Sequence, residues 1–399
     1  MEKIVFHIDV NNAFLSWTAI KLLNEGYKTD IRTISAIIGG DEQARSGIVL
    51  AKSIPAKKKG ITTAETLYQA RKKDKNLKIF PPDYEWYEYN SNRLFDMLQT
   101  YSPDIEIASI DECYLDYGKV KMLYGPEVDF AYALKDKIEK ELKFTVNIGI
   151  GENKLCAKMA SDFEKPNKVH TLYRNEIEEK MFPLPVGELF GIGKKTVPKL
   201  NQIGIFTIKD LATINEIKLK RHFKNQANYM IQIANGIRYD EVDSIKHTNT
   251  SISHETTLTK DTSDKDILYK ELFKLSVMVG RRVRLQNEYA TVICVVIKTC
   301  FFKKISHQKK LKNGTNISSE IFHFSKEILD EFYDSTPVRL IGIRLDGLEK
   351  DRTYQTSLFE KPVYRDKELK IDLVVDDINT KYGELIVKRA SLFNKKSKL

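Results

Sequence analysis

The chain has 399 residues, too many for one hydrophobic core, so several domains are expected. Lys plus Arg exceed Asp plus Glu by 65 to 55, and this excess favours a long polyanion as partner, although a solvated basic surface would give the same count. The four cysteines form no C-x-x-C pair, which argues against disulfides and a zinc site. No apolar run reaches about 18 residues and no signal-peptide pattern is present, so we expect a cytoplasmic protein that does not bind membranes.

The first predicted element is an apolar strand that ends at Asp9 and Val10. The carboxyl end of a core strand is where α/β sheets place ligand and metal sites, but Asp9 could equally cap the helix that follows. From residue 13 to about 24 apolar side chains recur at helical spacing, and Phe14 comes one turn after Asp9. Phe14 is therefore either a wall of an acidic site or an ordinary core residue.

A small basic region follows, between a strand ending at residue 40 and another helix. It includes Arg45, a turn at Ile54 and the three lysines 57–59. Such a segment could lie over a triphosphate. Consecutive lysines on a helix are equally typical of a solvated face.

Two short strands are predicted to meet at a tight turn that carries Asp111 and Glu112. Adjacent carboxylates on a strand point to opposite faces, so the two acids need a bend to act together. If this hairpin lies beside the first strand, Asp9, Asp111 and Glu112 form an oxygen-rich cluster suited to Mg²⁺. Two such ions about 4 Å apart would support in-line displacement at phosphorus. The alternative is a solvated acidic hairpin tip.

Helices are predicted at 84–98 and 128–142, and a strand at 144–150 leads into a helix near 153–162. Lys165 follows that helix and precedes Pro166, so it could reach a phosphate from the acidic site. A cation at a helix C-terminus is also favourable without any ligand.

The region 183–239 is predicted to be a helix-hairpin-helix. Gly191 and Gly193 would free backbone N–H groups, next to Lys194, to hold a DNA phosphate without reading sequence. Beyond a polar linker, we predict a helix at 267–285, strands at 291–302 and 317–322 separated by a basic loop, a helix to residue 333 and a strand at 338–345. This α+β sandwich could form a platform for the DNA backbone, or its basic loop could simply be solvated.

In this order the motifs resemble those of the Y-family translesion DNA polymerases over nearly the whole chain. Residues 8–11 resemble the first metal motif and residues 109–112 the second. Residues 157–162 with 165–167 are similar to the phosphate-binding segment, 191–193 to the thumb hairpin, and 337–343 to the last strand of the little finger.

The resemblance implies a right-hand polymerase of multidomain α/β and α+β architecture. The implied domains are a palm (1–12 and 80–172), small fingers (13–79), a helix-hairpin-helix thumb (173–240), a linker (241–250), a little finger (251–347) and a C-terminal tail (348–399). The implied activity is low-fidelity, template-directed DNA synthesis past damaged bases, in DNA repair and SOS-type damage tolerance.

The resemblance also assigns roles to single residues. The catalytic residues would be Asp9, Asp111 and Glu112, which with the backbone carbonyl of Val10 would bind two Mg²⁺ ions, with Mn²⁺ as a substitute. The nucleotide would contact Phe14, Ala51, Lys57 and Lys165, with Phe14 as the steric gate against ribonucleotides. The DNA contacts would be Gly191, Gly193, Lys194, Lys309 and Lys310. The expected partners are primer–template DNA, deoxynucleoside triphosphates and a sliding clamp, and the chain is expected to be a monomer.

Some positions depart from the family pattern. Many members have a second Asp where this chain has Asn11, and Asp-Val-Asn is similar to the UmuC-like branch. The finger positions often held by Tyr and Arg are Ile54 and Lys57, and Lys lacks the Arg fork. The tail is most similar to the UvrX-type members of Gram-positive bacteria. A non-catalytic accessory protein that binds DNA and the clamp with the same fold is the alternative reading.

That tail contains a Q-x-x-L-F motif, with Gln355, Leu358 and Phe359. It resembles the motif by which polymerases dock on a sliding clamp, where two apolar anchors fill a pocket. A helix is predicted after it, at 369–382.

Overall fold

The computed structural model describes residues 3–40, 47–245, 250–350, 362–383 and 387. These residues divide into two compact units, one up to residue 245 and the other from residue 250. Among them no helix is long and apolar enough to span a membrane.

The strands are β1 (Val5–Val10), β2 (Ala36–Gly39), β3 (Val49–Lys52), β4 (Lys78–Phe80), β5 (Ile105–Ile107), β6 (Glu112–Asp116), β7 (Val146–Gly151), β8 (Val169–Leu172), β9 (Ser251–Thr262), β10 (Tyr289–Thr299), β11 (Lys304–Thr315) and β12 (Val338–Glu349). The α-helices are α1 (Ala13–Asn24), α2 (Ile54–Lys58), α3 (Leu67–Lys73), α4 (Tyr84–Gln99), α5 (Lys121–Tyr124), α6 (Glu127–Leu142), α7 (Lys154–Asp162), α8 (Val197–Gln202), α9 (Ile208–Thr213), α10 (Glu216–Phe223), α11 (Gln226–Ala234), α12 (Lys265–Leu285), α13 (Ser318–Phe332) and α14 (Pro362–Tyr382).

The first unit is built on a five-stranded sheet with the order β5-β6-β1-β7-β8. Strand β1 is central, antiparallel to both neighbours and buried along its whole length. Successive side chains of a strand point to opposite faces. Phe6 and Ile8 pack into the core with α4 and α6, whereas Val5 contacts Ala157 of α7 on the other face. The predicted first strand and its pairing with the acidic hairpin are confirmed.

Helix α7 lies unusually close to the sheet. A Cβ on Gly149 of β7 would stand 2.0 Å from the carbonyl oxygen of Ala157, so no larger residue fits there. This close approach brings the side chains of α7 against the face of β1 that carries Asp9.

The small sheet and the helices that follow have hydrophobic cores of their own within the first unit. The strands in the order β3-β2-β4 form a small sheet, which packs with α2 and α3 around residues such as Ile37 and Leu67. Helices α8 to α11 surround a core that includes Leu200 and Leu211. The predicted boundaries between palm, fingers and thumb remain predictions.

The second unit is a four-stranded antiparallel sheet, in the order β11-β10-β12-β9, with α12 and α13 packed on one face. Here two sequence predictions are wrong. The basic segment around Lys309 is strand β11 rather than a loop, and residues 317–322 begin helix α13 rather than a strand. In β11 the side chains of Ile305 and Leu311 face the helices, but the many lysines between them obscured this alternation of apolar and polar residues. Helical spacing in α13 shows only over its full length, through Ile321 and Ile328.

Helix α14 is joined to this second unit by a buried charge cluster. The guanidinium of Arg284 in α12 lies 2.6 Å from Asp376 and 3.1 Å from Asp372, both on α14. The same guanidinium donates to the carbonyl oxygen of Asn316, at 2.6 Å. Asp372 in turn accepts from the backbone N–H of Ser318, at 2.7 Å. The predicted helix at 369–382 is confirmed, and it begins earlier, at residue 362.

We predict that Arg284→Met releases α14. The change leaves two carboxylates without their cation, and breaking a buried ion pair costs about 3–5 kcal/mol. Urea unfolding should show the loss, and hydrogen exchange should rise in residues 365–382. The matched control is Arg282→Met, because exposed Arg282 bonds only a carbonyl of β9. Equal effects of the two changes would contradict the role of the cluster.

Candidate active site

A cleft of about 650 Å³ opens beside the carboxyl end of β1. It lies entirely within the first unit, between the start of α1, strand β3, helix α2 and the turn that follows α7. The predicted site residues among those lining it are Asp9, Val10, Phe14, Ala51, Lys57, Asp111 and Lys165. Side chains from distant parts of the chain therefore meet in one cleft.

The acidic end of the cleft is fixed by strand pairing. Asp9 and Glu112 are opposite each other in the β1–β6 pair, and the N–H of Val10 donates to the carbonyl oxygen of Asp111 at 2.9 Å. The Ser109 hydroxyl donates to the Asp111 carboxylate at 2.7 Å. Burial raises the pKa of Asp111, and the negative charges of Asp9 and Glu112 raise it further. The hydrogen bond from Ser109 lowers this pKa but does not cancel the rise. Strand pairing thus brings these three acids close enough for their charges to interact.

Glu112 is held away from the cleft by side chains of β1 and α7. The Lys158 ammonium lies 2.6 Å from its carboxylate, and Nε2 of buried His7 lies 3.1 Å from the same oxygen. Although this nitrogen is close to the carboxylate, it forms no hydrogen bond of good geometry with the described residues. His7 and Lys158 together lower the pKa of Glu112 to about 2, against the effect of burial. Burial lowers the pKa of His7 itself.

Lys165 is the cation that pairs with Asp9. Its ammonium bonds the carboxylate of Asp9 and lies 2.8 Å from Asp162. Burial works against the charge on Lys165, but the two carboxylates outweigh burial and raise the pKa of Lys165. The lysine predicted to bind a phosphate thus lies directly at the predicted metal site.

The donor set suits a hard divalent cation, although it is not assembled around one. Carboxylate oxygens and a backbone carbonyl are the ligands that Mg²⁺ accepts. Within the part of the chain that the structure describes, no three carboxylate, imidazole or thiol groups converge closely enough to hold an ion as they stand. The reason is that Asp9 and Glu112 are each held by a lysine. Binding of an ion requires these pairs to rearrange, and the crowding of negative charge around Asp111 favours it.

Phe14 forms a braced wall of the cleft. Its ring stacks on Tyr87 at 4.5 Å between centroids and an interplanar angle of 8°, and it meets Tyr84 edge-on. The Tyr87 hydroxyl lies 2.8 Å from that of Thr18, which donates to the carbonyl oxygen of Phe14. Both the ring and the backbone of Phe14 are therefore fixed.

The opposite end of the cleft is basic. Lys57 lies on α2, whose start is capped by the Ser53 hydroxyl, and Lys52 and Arg32 also line the wall. Burial lowers the pKa of Lys52, and the nearby charge of Lys57 lowers it further. Sequence reasoning missed Arg32 and Lys52 because neither belongs to a recognisable motif. It also missed His7, whose signal was a polar residue inside an apolar strand.

The predicted DNA-contact residues fall in both units. Gly191, Gly193 and Lys194 are exposed in the turn before α8, and Gly191 has a φ of +97° that favours glycine. In the second unit, Lys309 faces the helices and pairs with Glu327 at 2.7 Å. Lys310 is its neighbour in β11 and is on the opposite, open face of the sheet. The structure thus separates two lysines that were predicted to act together.

The predicted clamp residues Gln355, Leu358 and Phe359 lie outside the described residues, so the clamp-binding motif remains a prediction.

Comparisons with known proteins agree over the whole chain. The model of the impB/mucB/samB family matches residues 8–162, that of its C-terminal domain residues 249–358, and that of the IMS family HHH motif residues 174–205. DNA polymerase IV of Clostridium acetobutylicum is 44% identical over 399 residues, which cover 100% of both chains. DNA polymerase IV 1 of Bacillus subtilis is 31% identical, over 100% of this chain and 95% of that protein.

Solved structures give the same result. The chimera Dbh-Dpo4(243-245)-Dbh, a Y-family DNA polymerase, matches with a TM-score of 0.76 and 26% identity, covering 87% of this chain and 100% of that one. The insertion ternary complex of Dbh DNA polymerase matches with a TM-score of 0.60 and 25% identity, over 87% of this chain and 100% of that one. These matches confirm the predicted multidomain polymerase fold and its helix-hairpin-helix. The chain therefore belongs to the impB/mucB/samB family and is a DNA-directed DNA polymerase of the Y family.

Proposed function

We propose that the protein copies damaged DNA by metal-dependent nucleotidyl transfer at the cleft beside β1, as part of DNA repair and damage tolerance. One observation carries the proposal: acids, an aromatic wall and basic side chains line a single cleft. A nucleoside triphosphate with its cations needs these three surfaces, for the metal ions, the sugar and the phosphates respectively.

Asp9, Asp111, Glu112 and the carbonyl of Val10 would hold the metal ions. Two Mg²⁺ ions bound there, or Mn²⁺ in their place, would supply the charge that activates the primer 3′-hydroxyl and stabilises the departing pyrophosphate. The protein's own contribution is to fix the backbone of the acids on paired strands, so that only the lysine partners of Asp9 and Glu112 must be exchanged. Lys165 would bind a phosphate once its bond to Asp9 is exchanged.

The basic end of the cleft would bind the rest of the triphosphate. Lys57 and Lys52 would supply point charges there, and the small side chain of Ala51 also lines the cleft. Ile54 also lines the cleft, so an apolar contact stands where many family members have a Tyr.

DNA would be held by contacts that do not read sequence. A Cβ on Gly193 would meet no atom within 4 Å, so packing within the chain does not explain this glycine. Close approach of a DNA phosphate to the backbone would explain it, with exposed Lys194 beside it. In the second unit the open face of the sheet would present Lys310 and Lys312 to further phosphates. Docking of the Q-x-x-L-F motif on a sliding clamp completes the proposal.

The accessory-protein alternative would leave the acids without a chemical role. We predict that Asp111→Ala and Glu112→Ala each lower primer extension at least about a hundredfold, while primer–template binding in an anisotropy assay is kept. Asp116→Asn is the matched control, because Asp116 lies at the far end of β6 and pairs with Lys119 at 3.5 Å. Near-normal extension by both alanine variants would favour the accessory protein.

Phe14 generates a prediction on sugar selection. Phe14→Ala removes the ring beside the sugar site, so incorporation of ribonucleotides should rise relative to deoxyribonucleotides by more than about tenfold. Single-nucleotide insertion kinetics measure this ratio. An unchanged ratio would return Phe14 to the role of a core residue.

Salt dependence tests the DNA surface. Each lost phosphate contact reduces the slope of log affinity against log salt by about 0.9. The pair Lys310→Gln and Lys312→Gln should therefore flatten the slope by about 1.8, without regard to DNA sequence. Lys309→Gln is the control, since this lysine faces the helices and pairs with Glu327, and it should leave the slope unchanged. If only the Lys309 change flattened the slope, the open face would not be the DNA surface.

A further inference from the structure

Two asparagines are buried among the apolar residues behind the cleft. Asn11 follows β1 and is 8% exposed, and Asn147 lies within β7 and is fully buried. Nδ2 of Asn11 donates to Oδ1 of Asn147 at 3.0 Å. Buried amides need hydrogen-bond partners, and the remaining bonds of this pair connect it to the turn that follows α7.

The side chain of Asn147 spans the turn after α7. Its Nδ2 donates to the carbonyl oxygens of Ser161, at 3.0 Å, and Glu164, at 2.6 Å. Its Oδ1 accepts the backbone N–H of Lys168, at 3.3 Å. Glu164 and Lys168 enclose Lys165, so one amide ties both sides of the turn that carries this lysine.

Asn11 fixes the middle of the same turn. Its Oδ1 accepts the backbone N–H of Asn167, at 2.8 Å. The side chain of Asn167 is held from the other direction, with Oδ1 accepting from Lys135 at 3.1 Å and Nδ2 donating to Glu139 at 2.9 Å. The backbone after Lys165 is thus fastened to β1 and to α6.

We propose that Asn11 and Asn147 are positioning residues for Lys165. Their amide pair holds the 164–168 turn so that the Lys165 ammonium stays beside Asp9 and can bind the phosphates of the incoming nucleotide. The inference rests on the proposed role of Lys165 in nucleotide binding. Although Asn11 borders the cleft, both polar atoms of its side chain are engaged with Asn147 and Asn167, so it acts through them.

The oxygen of the Asn147 amide requires a donor, such as the amide of Asn11, at position 11. A carboxylate at position 11 would set an oxygen against Oδ1 of Asn147 at about the observed 3.0 Å. Asn147 cannot turn its amide over to relieve this, because its Nδ2 would leave the carbonyls of Ser161 and Glu164. A hydroxyl at position 147, by contrast, could donate to a carboxylate at position 11.

The experiment compares Asn11→Asp, Asn147→Ser and the double variant in the full chain. Each single change should raise the KM for deoxynucleotides about tenfold, with a smaller effect on kcat, because the phosphate ligand is displaced rather than the acids. Each should also speed hydrogen exchange in residues 164–172, because Asn147→Ser removes the acceptor of the Lys168 N–H and Asn11→Asp sets two oxygens against each other within the pair. In the double variant the loss should be smaller than the product of the single losses.

Asn90→Ser is the control, since Asn90 is equally buried but bonds only the carbonyl of Trp86 within α4. It should change neither the KM nor the exchange of the turn. If Asn147→Ser does not fold, Asn11→Ser, at the rim of the pair, gives the same two readouts.

The experiment distinguishes failure of the positioning role from failure of the proposed phosphate contact. A normal KM and normal exchange in the Asn147→Ser and Asn11→Asp variants, with a raised KM in Lys165→Ala, would overturn the positioning role alone. A normal KM in Lys165→Ala would overturn the proposed phosphate contact itself, and with it the purpose assigned to the pair.

Discussion

The active-site region depends on keeping carboxylates ionised at the end of a buried strand. An unpaired charge in such a place costs several kcal/mol, so each acid needs a cation or strong donors nearby. Asp9 is paired with Lys165 and Glu112 with Lys158, and both lysines come from α7 or the turn directly after it. The close packing of α7 on the sheet is therefore an electrostatic requirement as much as a steric one.

This arrangement links the two ligands of the proposed reaction. An ion that binds the carboxylate of Asp9 would displace the ammonium of Lys165. The displaced ammonium would then require another anion in the same partly buried position. A triphosphate supplies that anion, so binding of the metal and of the nucleotide should each favour the other. In the structure Lys165 neutralises the carboxylate of Asp9 at the strand end.

Much of the fold and of the acidic site could be predicted from the sequence, wherever the hydrophobic pattern and the side-chain chemistry pointed to the same structure. The apolar strand ending at Asp9, the hairpin carrying Asp111 and the long helix α6 had clear periodicity, and they fold as predicted. Strand β11 had no clear apolar periodicity and was therefore predicted wrongly. Its open face carries lysines, and its face toward the helices includes His307 and Lys309. Periodicity reports apolar burial, and an amphipathic basic strand shows little of it.

The supporting residues of the site were harder to predict for a related reason. His7 and Asn147 each interrupt an apolar strand, and a single polar residue in such a run does not reveal its partner. Their partners lie 154 and 136 positions away, at Ser161 and Asn11. Only the three-dimensional fold brings these pairs together, whereas the acids could be inferred from the local chemistry of strand ends.

The neutral side chain at position 11 also fits the charge balance of the site. Partial burial raises the pKa of Asp111, and the negative charges of Asp9 and Glu112 raise it further. A carboxylate at position 11, two residues from Asp9, would add to that repulsion unless further cations compensated it. The amide of Asn11 accepts the backbone N–H of Asn167 as a carboxylate would, and it adds no charge. Asn11 therefore orders the Lys165 turn while leaving the surplus of negative charge to the residues that are to bind metal.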